Sequence, residues 1–428
     1  MSEIKYATTN VGLGVLPISS VSIDESIGGV LFDISGFHLP FEDYDTIYNN
    51  FGSEQVQLIN NLEEANKLGL GNNGFMNGLV YYHLSMFYDY INSDAPLYIA
   101  FADCSLDWSF IETMQRKTGG KMFQLGIWTS QHIWEPITDA SGTTIGFSQL
   151  IPKVKAGIEE LTGVAGQPMP SSIPLSIILC ANTYNIGDKK ISIKKLPNAL
   201  VFNAPKISLF ICQDGSQEVL SMQSKNPNNA PVGVLGFAMA VLNLAGAEES
   251  IGAVANYNLN KNNKFTLPEL PVGNKHNTLE SVSRTIIETL AQNGYVVPVT
   301  YKGKEYECFF NNDTTLSGGD YYSIANNRVI HKCRRAVYSA LLPYIHSNHL
   351  FEGSAKLLSA ISRQLLEEVV GSALSGKLIN KKGQYQINGY KITIDDSQNI
   401  LNDDEISISY NVVPVSNEKI LIDTIAVE

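Results

Sequence analysis

Asp103-Cys104 and Cys212-Gln213-Asp214-Gly215 bring thiols and carboxylates together where apolar runs give way to loop-forming residues. α/β proteins place ligand-binding groups at such strand ends, and a cysteine there could act as a nucleophile. It would need a histidine base and an electropositive setting to form its thiolate. His83 and His132 are the candidate bases, but each stands in an aromatic or apolar stretch. Buried free cysteines are mostly inert core groups. Packing therefore outweighs catalysis in the reading of Cys212, Asp214 and their neighbours.

The other chemical signals are thinner still. His346 and His349, three residues apart, could share a metal on one helix turn. The H-E-x-x-H zinc pattern needs an acidic residue between its histidines, and none is there. No phosphate-binding G-x-x-x-x-G-K-[ST] loop occurs. Gly69-Leu70-Gly71 follows a helix pattern instead of a strand, so it fails as a dinucleotide fingerprint. No metal and no cofactor is expected. The basic run His331-Lys332-Cys333-Arg334-Arg335 could grip nucleic acid, but it is isolated in a chain of net charge −12. A nucleic-acid binder normally shows a broad basic field. A salt-bridged or partner-facing helix surface is the expectation here.

With catalytic groupings nearly absent, weight moves to a structural or assembly role. The 428 residues suffice for two or three domains, and 44% hydrophobic content allows a large core. No apolar run approaches the roughly 20 residues that span a bilayer. The opening MSEIKYATTNVGLGVLPISS lacks the charged and apolar regions of a secretory signal. A soluble protein made in the cytoplasm is expected. Five scattered cysteines, an odd number, argue for reduced thiols over a disulfide framework.

The elements that would position these residues follow from periodicity. Residues 1–22 read as an extended arm. Strands are expected at 30–34 and 56–59, with Asn60 or Asn61 capping a short helix that ends at Gly69. GLVYYHLSMFYDYI is a helix, PLYIAFAD a central strand, WSFIETMQRKTGG a helix and KMFQLGIW a strand. This alternation predicts an α/β layer with parallel strands. LSIILCAN and SLFICQDG extend the sheet around a hairpin region at 184–196, and residues 231–247 form a small-residue helix. Residues 258–277 are polar and read as a linker or long loop.

Further on, Asn277 and Glu280 form a capping box for a helix carrying Leu279, Val282, Ile286 and Leu290. A hairpin turns at Lys302-Gly303. Asp320 caps a long helix that Pro343 stops, and KLLSAISRQLLEEVV is an amphipathic helix. Asn388-Gly389 signals another hairpin, and EISISYNVV is a strand. The chain closes on EKILIDTIAVE, whose Ile420 and Ile422 alternate with Leu421, Asp423 and Ile425. An exposed apolar strand invites aggregation, so this one needs a partner, within its own molecule or in another.

Several of these stretches resemble the contractile tail sheath proteins of phages and contractile injection systems, in particular a short prophage sheath-like family. VQLINNLEEANKLGL is similar to an early strand and helix of that family, and YYHLSMFYDYINSDAPLYIAFAD to its next helix, turn and apolar strand. PVGVLGFAMAVLNLAGAEESIGAVANYNL resembles its small-residue helix, although residues 251–254 lack the Trp expected there. NGYVVPVTYKGKEYECFFNNDTTLSGGDYYSIANNRVIHKCRRAVYSALLPYI is similar to its hairpin and long helix. ISISYNVVPVSNEKILIDTIAVE fits its terminal strand pair. Residues 130–200 match no part of the family and read as a variable insertion.

The resemblance implies a mixed α/β (α+β) fold, a layered sheet with flanking helices, and N- and C-terminal strand arms donated to neighbouring subunits. It divides the chain into an arm (1–22), a sheath body (23–275), a C-terminal core domain (276–414) and a terminal arm (415–428). Arm contacts would come from Val11, Val15, Ile18, Ile420, Leu421, Ile422, Ile425 and Val427. Hinges would lie at Gly12, Gly14 and Pro17, and at Pro414, Ser416 and Asn417. Arg328, Lys332, Arg334 and Arg335 could face an acidic tube. The implied role is a non-enzymatic sheath subunit that stacks as hexameric rings in a helical polymer around a tail tube protein and contracts. Its further partners would be baseplate and terminator proteins, with no nucleic acid and no direct membrane insertion. Assembly in the bacterial cytoplasm into a virion tail or injection particle would follow. Two alternatives stand beside it: a cytoplasmic α/β enzyme with a Cys/Asp site, and a non-contracting terminator or baseplate component of the same fold.

Overall fold

The apolar run IGGVLFDISG becomes the central strand of a parallel sheet because flanking helices cover both its faces. Every residue of that strand is buried. The computed structural model describes residues 7–9, 24–35, 51, 56–71, 75–138, 144–159, 175–184, 193–225, 231–272, 275–344, 347–352, 357–379, 383–398 and 406–415.

The described chain begins with β1 (Ala7–Thr9), β2 (Gly28–Asp33) and β3 (Val56–Ile59). Helices α1 (Leu62–Lys67) and α2 (Phe75–Ile91) lead to β4 (Leu97–Ala102), and α3 (Phe110–Lys117) to the long β5 (Gln124–Thr138). Next come β6 (Thr144–Phe147), α4 (Leu150–Glu159), β7 (Ser176–Tyr184), β8 (Ile207–Phe210) and β9 (Gln213–Asp214). Helices α5 (Gln217–Ser224) and α6 (Leu235–Leu244) precede β10 (Pro268–Val272), β11 (Lys275–Thr278) and α7 (Arg284–Gln292). Strands β12 (Tyr295–Val296), β13 (Pro298–Tyr301) and β14 (Lys304–Phe310) lead to α8 (Ile324–Leu341). Last are β15 (Phe351–Glu352), β16 (Leu357–Leu358), α9 (Ala360–Lys377), β17 (Ile387–Ile394) and β18 (Ile408–Pro414).

The main sheet runs β12-β8-β7-β5-β2-β4-β3, with β6 paired to β5. All its neighbours on the main path are parallel except β3 and β4. A first core fills both faces of this sheet and reaches as far along the chain as Ile324. A second core joins Val329, Cys333 and Val337 of α8 to Leu366, Val370 and Leu374 of α9 and to Tyr410 and Val412 of β18. It is closed by a small antiparallel sheet, β1-β18-β17. The mixed α/β architecture, with a layered sheet and flanking helices, is the one the sequence predicts. No described helix is long and apolar enough to cross a membrane.

Local signals explain the elements that match. Asn61 caps α1, its Oδ1 accepting from the Glu64 amide at 3.0 Å, while Glu64 Oε2 accepts from the Asn60 amide at 2.7 Å. This reciprocal pair satisfies two helix-end donors. Gly119 and Gly120 end α3 with φ of 63° and 71°. The small-residue helix is α6, where a Cβ on Gly236 would meet the His83 carbonyl oxygen at 2.2 Å. Only glycine allows α2 and α6 that approach.

Elsewhere tertiary partners override the local signal. Residues 258–277 are no plain linker, for they include β10, which pairs with β9 and β11. Its polar sequence hides a buried strand because Glu269 accepts from Gln213 Nε2 at 2.6 Å. Asn277 is a strand residue donating to the Leu270 carbonyl at 3.0 Å, and α7 starts later, after Ser283. The cap of α8 is Ser323 in place of Asp320, its Oγ accepting from the Asn326 amide at 3.0 Å. Asn388-Gly389 makes a register shift inside β17 instead of a turn. Pro414, expected in a hinge, is the buried last residue of β18 opposite Ile387. Most of the hairpin region at 184–196 lies outside the described residues.

Candidate functional site

The residues proposed for nucleophilic chemistry fall apart on inspection. All five cysteines are free and buried. Burial pushes the Cys212 thiol well above its ordinary range, and Cys308 and Cys180 add to the effect. Cys180, Cys308 and Cys333 are each pushed up to about 12, chiefly by burial. The Cys104 thiol rises for the same reason, with the Asp33 carboxylate beside it. None of these settings stabilises a thiolate.

His83 is committed elsewhere. Its Nε2 is 2.9 Å from the Val232 carbonyl and its Nδ1 accepts from the Gly236 amide at 3.3 Å. Burial lowers it to about 3, so it is a neutral brace between α2 and α6. His132 is half-buried on β5. Of the pair His346 and His349, the first lies outside the described residues; the second is half-buried and bonded to Ser347 Oγ at 3.1 Å. Among the described residues no group of His, Cys, Asp or Glu is arranged to hold a metal ion.

Asp214, on β9, accepts from the Leu267 amide at 3.0 Å. A carboxylate that the sequence reading passed over sits at the carboxyl end of β2, beside the point where strand order reverses. Asp33 accepts from the amides of Ser35 and Cys104, from the hydroxyls of Ser35 and Thr129, and from Gln131 Nε2. Five donors saturate it, so a location typical of α/β ligand sites here ties the ends of β2 and β4 to the middle of β5. The readable signal was a lone acid closing an all-apolar strand.

The densest polar cluster lies at the opposite, amino-terminal edge of the sheet. Here α8 crosses the starts of β2, β5 and β7 with its cations turned inward. Arg328 is fully buried, donating through Nη1 to the Gly246 carbonyl at 3.1 Å and through Nη2 to Glu25, Leu242 and Ala245 carbonyls at 2.9–3.2 Å. It thereby satisfies the loose carbonyls at the end of α6. Lys332 pairs with Glu25 at 2.5 Å, both nearly dry. Gln386 donates to Glu248 at 2.6 Å and to Glu25 at 3.3 Å, tying in the second core. Arg335 donates to the Gly120 and Met122 carbonyls. Both guanidiniums lie over the Phe123 ring, at 4.8 Å for Arg335 and 6.0 Å for Arg328. His331 contacts Ser176 Oγ at 3.3 Å and is held far below its ordinary range by burial and then by the surrounding cations.

Arg328, Lys332 and Arg335 therefore cannot face a tube from this position; they are buried, and only Arg334 is half-exposed. The physical reason is that main-chain carbonyls from distant turns supply enough acceptors to hold the charges dry. The salt-bridged half of the sequence reading is what the structure contains. The signal was available: 328, 332 and 335 share one helix face flanked by apolar residues.

The first and last described strands meet at the second core. β1 pairs antiparallel with β18 of the same chain, Ala7 opposite Tyr410 and Thr9 opposite Ile408. β17 is paired through β18 only, so among the described residues its other edge is open. Val11, Val15, Ile18, Gly12, Gly14 and Pro17 lie outside the described residues, as do Ser416, Asn417, Ile420, Leu421, Ile422, Ile425 and Val427.

The described chain is thus a parallel α/β body clamped through buried cations to a second core, which a small antiparallel sheet of β1, β18 and β17 closes. No family model matches the chain, and no curated protein does. Solved structures do. A chain of the PVC sheath complex of an extracellular contractile injection system, in the contracted state, aligns over 99% of this chain and 99% of its own, with TM-score 0.55 and 11% identity. A chain in the six-fold symmetrised baseplate of the anti-feeding prophage aligns over 98% of each, with TM-score 0.53 and 11% identity. The chain has the fold of these contractile-injection-system components.

Proposed function

We propose that this chain is a structural subunit of a contractile tail sheath. Copies stack as hexameric rings around a tail tube, and contraction drives the tube through a target envelope. The observation that carries this reading is the fold likeness, which spans nearly the whole of both chains. The sheet at the chain ends supports it. Its open β17 edge can accept a strand by β-augmentation, and residues 418–428 have the alternation for one. On this reading Ile420, Ile422 and Ile425 pair into a neighbouring copy, with Ser416 and Asn417 as the hinge. The N-terminal strand, closed on its own β18 in a single chain, is exchanged for a neighbour's, with Gly12, Gly14 and Pro17 giving the reach. Exchange of identical strands keeps every ladder bond, so it costs little. The rigid clamp around Arg328 lets each body move as a unit while the arms keep copies joined.

The particle would form in the bacterial cytoplasm, with tail tube, baseplate and terminator proteins as partners, and no nucleic acid or membrane insertion. The subunit works without catalysis on this reading, in keeping with its inert thiols. The near-equal baseplate likeness favours a second reading, a non-contracting baseplate or terminator component. Negative-stain imaging of the full chain and of a version ending at Asn417 tests both. Stacked rings or tubes that vanish on truncation are expected. Single rings that never stack would favour the second reading, and a monodisperse monomer at high concentration would overturn both.

A further inference from the structure

The pair Asn388-Gly389 makes no turn, so its glycine has no conformational task in β17. Gly389 has no positive φ, and a Cβ built on it would meet open space. What distinguishes the pair is chemical. A glycine after asparagine leaves its amide nitrogen unshielded beside the asparagine side-chain carbonyl, since no Cβ stands in the way. Asn388 is exposed and sits where the ladder shifts: Ile387 faces Pro414, Gly389 faces Val413, and Asn388 has no residue opposite. A bulged residue of this kind escapes the pairing that fixes its neighbours. Pro414 cannot donate a ladder bond there, and among the described residues the other edge of β17 is open. The Asn388 side chain is held by a long bond, Nδ2 donating to the Pro414 carbonyl at 3.3 Å.

The other described Asn-Gly pairs are fixed in helices. Asn293 ends α7, its amide donating to the Thr289 carbonyl at 3.0 Å, and the Gly294 amide donates to Ala291 at 3.1 Å. Asn77-Gly78 lies within α2. We propose that Asn388 is a site of spontaneous deamidation and isoaspartate formation. The Gly389 nitrogen bonds to Asn388 Cγ, and Nδ2 leaves with the amide proton as ammonia. Water then opens the cyclic imide at either carbonyl, giving aspartate or isoaspartate. Either product sets a carboxylate against the Pro414 carbonyl in place of a donor, and isoaspartate also lengthens the β17 backbone. The modification therefore loosens the end of β18, from which residues 416–428 continue. The site is independent of the sheath reading.

Ageing the full chain in mildly alkaline buffer, followed by mass spectrometry of the tryptic fragment 383–391, tests it. Asn388 should convert about tenfold faster than Asn293 in the folded chain, and at a similar rate in urea. Gly389→Ala, which the open space tolerates, should slow the reaction at 388 severalfold by shielding the nitrogen. Asn388→Asp copies the new charge and should speed amide exchange over 411–415 severalfold, while 366–374 of α9 stays protected. Conversion at 388 no faster than at 293, a rate unmoved by Gly389→Ala, or unchanged exchange in Asn388→Asp overturns the proposal.

Discussion

Helices α8 and α9 each have 18 residues and lie against each other, yet α8 buries Arg328, Lys332 and Arg335 while α9 leaves Ile361 69% and Leu365 44% exposed. Simple amphipathic patterning would predict the reverse at every one of these positions. The difference lies in what each helix meets. α8 runs across strand starts and the end of α6, where unpaired carbonyls and the Glu25 carboxylate compensate its charges. α9 has the second core on one side only, and its first turn adjoins the equally exposed Leu350 and Phe351. Burial is thus decided by the acceptors a neighbouring backbone can supply as well as by the polarity of a side chain.

The sharpest way to break this comparison is Arg328→Met. It strands four buried carbonyls, that of Glu25 among them, so it should cost about 3–5 kcal/mol in denaturant unfolding. A loss below about 1 kcal/mol, the range of an exposed pair, would show the clamp to be ornamental. Next in size is the pair Glu25 and Lys332. Glu25→Gln and Lys332→Met should each cost about 3 kcal/mol, and the double variant far less than their sum. Additive losses in that double-mutant cycle would mean that the two do not act as a pair.

Acid gives a third, smaller effect. His331 and His83 stay neutral in the fold, burial being the first cause for both. The unfolded chain protonates them near pH 6.5, so their contribution is complete above that pH and is lost as pH falls. Each should remove up to about 1.4 kcal/mol per pH unit, for His83 down to about pH 3. His83→Gln and His331→Asn should each flatten the acid limb of a stability-against-pH curve; an unchanged slope would assign it to carboxylates. Smallest of all, Ile361→Ser and Leu365→Ser should shift unfolding by less than about 0.5 kcal/mol. A larger loss would mean that α9 is covered in the isolated chain.

Much of the fold was legible because local and global preferences agree. The 56–59 strand, the Asn61 cap and the small-residue helix are all set by residues within one or two turns of each other. The apolar strands likewise announce a covered parallel sheet. The rest depends on partners far along the chain. Arg328 meets Glu25 across 303 positions, and Arg335 meets Gly120 across 215; no window on α8 contains those acceptors. β10 looked like a linker because its Glu269 is paid for by Gln213, on another strand. Asn388-Gly389 has the composition of a tight turn, but β18 pairs straight past it. The catalytic candidates misled for a related reason: sequence places Cys212 and Asp214 at a strand end without telling how dry that end is.

The antiparallel register of β1 and β18 has a mechanical side. The chain enters β1 opposite Tyr410 and leaves β18 beyond Pro414, so both ends depart from the same end of the little sheet. Tension that draws those ends apart peels three residue pairs in succession, whereas sliding β18 along β17 must shear seven at once. Under load the first strand lets go while the rest of the sheet stays whole.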